Sequence, residues 1–229
     1  MSNVLITGAN RGIGLELTKQ YAASGDRVLA FCRSPQSAKA LHELANGSAG
    51  RVTVHQMDVG DESSIEAAAA SIGDQPIDIL INNAGIKGGE KQSLKEIDTA
   101  DWLEAFKVMT IGPFRVVQAF LKNLERVNNP KIVTITSQLG AMAWPMGGSY
   151  AYASAKAAVN RVMRALANDL KDRAIVALIH PGWVKTDMGG RNADITPEES
   201  AAGIRSVIAS LSKADSGQFY KWTGDIHAW

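Results

Sequence analysis

Tyr152 and Lys156, four residues apart in "YAYASAK", form a pair able to move a proton. On an α-helix each residue advances by about 100°, so positions four apart share a face. Tyr150 lies about 200° round from Tyr152 on that geometry, and its own partner at the same spacing is Ser154. The lysine therefore belongs to Tyr152. A free phenol titrates near pH ~10, too high for easy exchange at neutral pH, and a nearby ammonium favours its ionised form. The pair thus predicts a tyrosine whose pKa is lowered by Lys156 and which serves as general acid or base. The same spacing also suits an amphipathic helix whose tyrosine packs and whose lysine is solvated. Upstream, "TITSQLGAM" ends an apolar run at Ser137. Its hydroxyl could hold a substrate carbonyl, or with Thr136 simply cap the strand end.

Near the start of the chain, "TGANRGIG" follows the apolar run "NVLI" and precedes a helix-forming segment. Gly8, Gly12 and Gly14 permit a tight strand-to-helix turn that brings backbone amides close to a ligand, and the helix N-terminus beyond them favours a pyrophosphate. This is the context a dinucleotide fingerprint requires, although the spacing is G-x-x-x-G-x-G. A fold of this kind that prefers NAD usually carries an acid at the end of its second strand. Here that end reads "AFCRSP", with Arg33 and no carboxylate between 27 and 42, and Arg11 adds a cation inside the glycine loop. Two guanidiniums suit a 2′-phosphate, so the expected cofactor is NADP(H).

Short aliphatic runs must position these groups. They are "NVLI" at 3–6, "RVLAF" at 27–31, "RVTVHQ" at 51–56, "IDILIN" at 77–82, "KIVTIT" at 131–136 and "AIVALIH" at 174–180. Most lack polar alternation, as expected of strands covered on both faces. Helical patterns lie between them, including a long fourth helix marked by Trp102, Leu103, Phe106, Val117, Phe120 and Leu121. The tail "SGQFYKWTGDIHAW" supplies a last strand and a closing turn. The alternation predicts an α/β, Rossmann-type, doubly wound and mainly parallel seven-stranded sheet flanked by helices, one domain over residues 1–229.

Composition narrows the rest. The chain is 45% hydrophobic and 21% charged with a net charge of +1, ordinary globular values that favour neither nucleic acid nor a membrane surface. No run reaches the ~18 apolar residues of a membrane span, and "MSNVLITGAN" carries no signal-peptide pattern. The single cysteine, Cys32, fits a reducing, cytoplasmic setting. No metal site is expected. "TPEES" with Thr196 and Glu199 reads as a capped helix start.

With these residues assembled, the sequence resembles the short-chain dehydrogenase/reductase family over essentially its whole length. The likeness rests on "TGANRGIG", "MDV" at 57–59, "NNAG" at 82–85, Ser137, "YASAK" at 152–156 and "PGWVKTDM" at 181–188. The tail and the short region after Met188 are similar to its compact carbonyl-reductase branch, C-factor- and sniffer-like. The resemblance implies that Ser137 orients a carbonyl, Tyr152 is the acid/base, and Lys156 bonds the nicotinamide ribose. It also implies that Gly8, Asn10, Arg11, Gly12, Ile13 and Gly14 line the pyrophosphate and adenosine ribose, and that Arg33 holds the 2′-phosphate. Asp58 and Val59 would lie by the adenine, Asn83 and Gly85 beside the cofactor ribose, and Pro181, Gly182, Val184 and Thr186 by the carboxamide.

Two departures stand out. Ser137 precedes Tyr152 by two residues more than is usual, which places extra residues within "AMAWPMGGSY" at the substrate mouth, where Trp144 and Met146 shape an apolar pocket. Met109 stands where the family has an asparagine tied to a helix kink and an ordered water; methionine offers no comparable donor or acceptor. The leading expectation is an NADP-dependent oxidoreductase acting on a small carbonyl or alcohol. An NADP(H)-binding regulatory or signalling protein with weak catalysis is the alternative, and an epimerase or dehydratase is disfavoured by the glycine spacing. A homodimer or homotetramer is expected from the resemblance.

Overall fold

A computed structural model describes all residues from Met1 to Trp229. Seven strands form one parallel sheet: β1 (Asn3–Thr7), β2 (Arg27–Cys32), β3 (Val52–Gln56), β4 (Ile79–Asn82), β7 (Lys131–Ile135), β8 (Ile175–His180) and β9 (Phe219–Lys221), in the order β3-β2-β1-β4-β7-β8-β9. A separate antiparallel pair, β5 (Gln92–Ser93) and β6 (Glu96–Ile97), has no counterpart in the sequence reading. The strand order reverses between β1 and β4, so the carboxyl ends of these two strands flank the crevice where open α/β sheets take their ligands.

Helices cover both faces, which is why most of the strands are apolar rather than alternating; the edge strand β3, Val-Thr-Val-His-Gln, is the exception. On one face α1 (Gly12–Ala23), α2 (Lys39–Gly47) and α8 (Pro197–Ser210) bury Leu17, Leu41 and Ile204 against Val4, Ile6 and Val28. On the other, α3 (Glu62–Ile72), α5 (Gly112–Ala119) and α7 (Tyr150–Asp169) bury Ile65, Val116 and Val159 around Leu5, Phe31 and Phe219. Each such aliphatic or aromatic side chain contributes about 1.5–3 kcal/mol on burial.

The long fourth helix is in fact divided. It runs as α4 (Thr99–Phe106), a π-helical turn over Lys107–Ile111, α5 and the short α6 (Leu121–Leu124). Pro113 explains the break: it has no N–H to bond the carbonyl four residues back, that of Met109. The Gly112 amide reaches instead to the Lys107 carbonyl, five residues back. The kink therefore exists without an asparagine at position 109.

The tail closes the far edge of the sheet. The His227 amide bonds the Phe219 carbonyl, and the Ala143 amide bonds the Trp229 carbonyl at 2.9 Å. The Trp229 ring also lies under the Arg164 guanidinium of α7, 4.8 Å from its centroid.

At the start of α8, the Thr196 hydroxyl accepts from the Glu199 amide at 3.2 Å, and the Glu199 carboxylate accepts from the Thr196 amide at 2.8 Å. Thr196→Ala should therefore cost about 0.5–2 kcal/mol. A fall of a few degrees in melting temperature checks this, and Thr196→Ser should retain most of the native value.

Candidate active site

β1 delivers the glycine loop to the switch point. Gly8 and Gly12 have φ of 65° and 54°, left-handed values that disfavour side chains. A Cβ on Gly14 would lie 2.3 Å from the Gly8 carbonyl oxygen, so α1 can dock on the loop only with glycine there. Arg11 caps α1 in extended conformation without a side-chain cap bond. The first-turn amides are thus left to an anionic ligand, as a pyrophosphate site needs.

The "NNAG" segment braces this loop. Asn83 Nδ2 donates to the Thr7 carbonyl at 2.9 Å and the Gly8 carbonyl at 3.2 Å, while Thr7 Oγ1 accepts from the Asn83 and Ala84 amides at 3.0 Å each. The Asn83 side chain is therefore committed to the loop, and Thr7 is an equal partner that the sequence reading passed over. Asp58 follows β3, its Oδ1 accepting from the Gly60 amide at 2.9 Å, and the neighbouring Val59 is buried.

Both arginines read from the sequence are exposed. Arg33 immediately follows β2, and Arg11 reaches across to Asp187 at 2.9 Å. A surface ion pair of this kind contributes about 0–1 kcal/mol, so Arg11 is readily redirected to a phosphate. Asp187 belongs to the loop after β8, which starts at Pro181 and Gly182. Val184 pairs there with Ile195, and Thr186 Oγ1 accepts from the Gly189 amide at 3.1 Å. A Cβ on Gly12 would stand 3.2 Å from Thr186 Cγ2, so this loop lies directly over the glycine loop. Asn10 and Ile13 sit within that loop and the first turn of α1. The cradle, the uncapped helix start and the two exposed guanidiniums together fit a phosphorylated dinucleotide.

The helix carrying Tyr152 begins at Tyr150, after Ser149 in left-handed conformation. Tyr150 is partly exposed, and its carbonyl accepts from Ser154 Oγ at 2.5 Å. Ser154 in turn accepts from Trp102 Nε1 at 2.8 Å, so this side of α7 serves packing. The Tyr152 amide donates to Gln92 Oε1 at 3.0 Å, which gives the small β5–β6 pair a role as a brace. Lys156 is 5% exposed and donates to the Ile135 carbonyl at 2.8 Å. Its Nζ lies 5.8 Å from the centroid of the Tyr152 ring. Gly85 faces the same lysine, since a Cβ there would be 3.9 Å from Lys156 Nζ and 3.6 Å from Met109 Sδ.

The electrostatics differ from the sequence expectation in one respect. The Tyr152 phenol is raised above its ordinary range, because burial outweighs the hydrogen bonding of Ser137 that pulls it down. Burial also pushes Lys156 down, from 10.5 to about 8. Desolvation penalises both charged forms, and it overrides the attraction that the four-residue spacing suggested. Tyr152 is accordingly a protonated group at neutral pH. No group of three or more histidine, cysteine or acidic side chains could hold a metal, and no helix is long and apolar enough to cross a membrane.

A short chain dehydrogenase family model matches residues 2–196. The chain is 37% identical over 167 residues to the C-signal protein of Myxococcus xanthus, covering 72% of this chain and 100% of that one. The NADPH-bound carbonyl reductase from chicken fatty liver superposes with a TM-score of 0.93 at 34% identity, covering 100% and 99% of the two chains. The carbonyl reductase Sniffer of D. melanogaster gives 0.91 at 30% identity, covering 100% of both. The likeness to the two carbonyl reductases spans the whole chain, and with the family match over residues 2–196 the chain belongs to the short-chain dehydrogenase/reductase family.

Proposed function

We propose that the protein is an NADP-dependent oxidoreductase that reduces a small carbonyl to the alcohol. The observation that carries this reading is the convergence of Ser137, Tyr152 and Lys156 with the glycine loop at the carboxyl ends of β1, β4 and β7. NADPH-bound and NADP-bound carbonyl reductases among the similar structures support it. The bound cofactor supplies the hydride. Ser137 and Tyr152 hold the carbonyl oxygen, and Tyr152, protonated at neutral pH, donates its proton as charge develops there. Lys156, with a pKa of about 8, is still mainly an ammonium at pH 7. It is anchored on the Ile135 carbonyl and keeps two further donors for a ribose hydroxyl.

The mouth is apolar. Met142, Trp144 and Met146 precede α7 and are exposed, as are Trp183 and Met188 after β8. These loops follow neighbouring strands, and such a rim favours an uncharged carbonyl with apolar substituents. Exposed Leu103 of α4, Ile111 of the π turn and Phe114 of α5 support a homodimer or homotetramer. The buried free thiol of Cys32 is in keeping with a cytoplasmic setting. A dinucleotide-binding regulator with weak catalysis is the second reading. Met109 favours it, since this thioether is buried where the family's asparagine amide would lie, close to Lys156.

Tyr152→Phe should abolish NADPH oxidation across a carbonyl panel while leaving NADPH binding intact, whereas Tyr150→Phe should change rates little; the reverse order sinks the assignment. A native protein that binds NADPH and reduces nothing in the panel supports the second reading. NADPH should raise the melting temperature more than equal NADH, and Arg33→Ala should narrow the gap.

Lys156 also sets a stability trend. Its pKa is depressed on folding, so the unfolded chain binds the proton more tightly between pH 8 and 10.5 and native stability rises across that window. The penalty is fully present below pH 8. Lys156→Met removes this desolvation penalty but also the bond to the Ile135 carbonyl, so the checkable outcome is the trend: the variant's melting temperature relative to native should fall as pH rises from 8 towards 10.5. A difference that rises with pH would contradict the burial argument.

A further inference from the structure

Tyr152 and Lys156 continue as a stripe to Asn160, again four residues on and on the same face of α7. Asn160 is 3% exposed, and both ends of its amide are engaged. Its Oδ1 accepts from Thr136 Oγ1 at 2.5 Å, and its Nδ2 donates to the Gly140 carbonyl at 3.1 Å. Those partners lie on either side of Ser137. Ser137 Oγ accepts from the Leu139 amide at 3.1 Å, a local bond that does not fix the turn to the helix. Gly140 packs on the backbone of α7, where a Cβ would meet the Lys156 carbonyl carbon at 2.8 Å. Close packing stops the turn from moving towards the helix, and the Asn160 amide stops it from moving away.

We propose that Asn160 is a positioning residue: by gripping the chain before and after Ser137, it holds the Ser137 hydroxyl in register with the Tyr152 phenol. The inference rests on the reading of Ser137 and Tyr152 as the groups that hold the carbonyl. Removing the amide leaves Thr136 Oγ1 and the Gly140 carbonyl without these partners in a buried place, so the turn shifts to satisfy them. A misplacement of about 1 Å can lower a rate by about a hundredfold.

The test compares Asn160→Leu, Thr136→Val and the double variant with the native protein, measuring kcat, KM, NADPH affinity and crystal structures. Asn160→Leu should lower kcat by about ten- to a hundredfold, with NADPH affinity within about twofold of native. Thr136→Val, which breaks one of the two bonds and leaves the residues of α7 unchanged, should lower kcat less, and the double variant should be no slower than Asn160→Leu, because the Thr136 bond is already lost in that variant. If Asn160→Leu does not fold, Thr136→Val carries the kinetic test alone. Unchanged kcat in a folded variant, or equal losses in kcat and NADPH affinity, overturns the proposal. Should the native protein reduce no carbonyl, the function proposed above fails, and the crystal structures decide the positional claim separately. A wider Ser137–Tyr152 hydroxyl separation in the variants supports it, and an unchanged one overturns it.

Discussion

Parallel pairing is the constraint on which everything else here depends. Val4, Leu5 and Ile6 of β1 lie beside Ile79, Leu80 and Ile81 of β4, and these continue in register to Lys131, Ile132 and Val133 of β7. Because all the strands run the same way, their carboxyl ends emerge along one edge. The glycine loop, the "NNAG" brace and the Ser137 turn therefore arrive side by side from distant parts of the sequence. Parallel strands must be joined by crossovers, so the same constraint demands the helices. One of them, α7, returns to the sheet with Tyr152 and Lys156 facing the turn that β7 delivers.

Burial then decides the chemistry of those groups. Enclosure keeps the tyrosine protonated and makes the Lys156 ammonium easier to deprotonate. An acid that stays neutral until charge develops on a bound oxygen is suited to donation, and it costs little reorganisation at that moment. The cost is a buried ammonium whose desolvation opposes folding below about pH 8.

Much of this was legible in the residues. Mostly aliphatic runs marked six strands because a sheet covered on both faces leaves few polar positions. The tyrosine was distinguished from its neighbour because helical phase is fixed by geometry, and Ser154 does serve packing beside Tyr150. The divided fourth helix was not foreseen, although Pro113 was in plain view. A π turn inserts a single residue, so the pattern on either side of it still reads as helix, and periodicity was the signal used. The two-residue strands β5 and β6 carry too few side chains for any period. The direction of the Tyr152 shift was misread because spacing reveals neighbours, whereas desolvation depends on how many layers lie above them. Asn160 continued a visible spacing, but its partners are contributed by a strand end that only the fold brings near.

The tail has a consequence of a different kind. β9 is the last strand of the sheet, and an open edge of that sort invites pairing with another chain. Here the His227 amide occupies the Phe219 carbonyl and the Lys221 amide is taken by Asp225, so the chain folds back on its own edge. The same few residues then reach Ala143, at the base of the loop that borders the mouth. Covering of the sheet edge and tethering of the loop before α7 are thus performed by one segment. A change that loosened it would expose the sheet edge and free the loop before α7 together, linking solubility to the order of that loop.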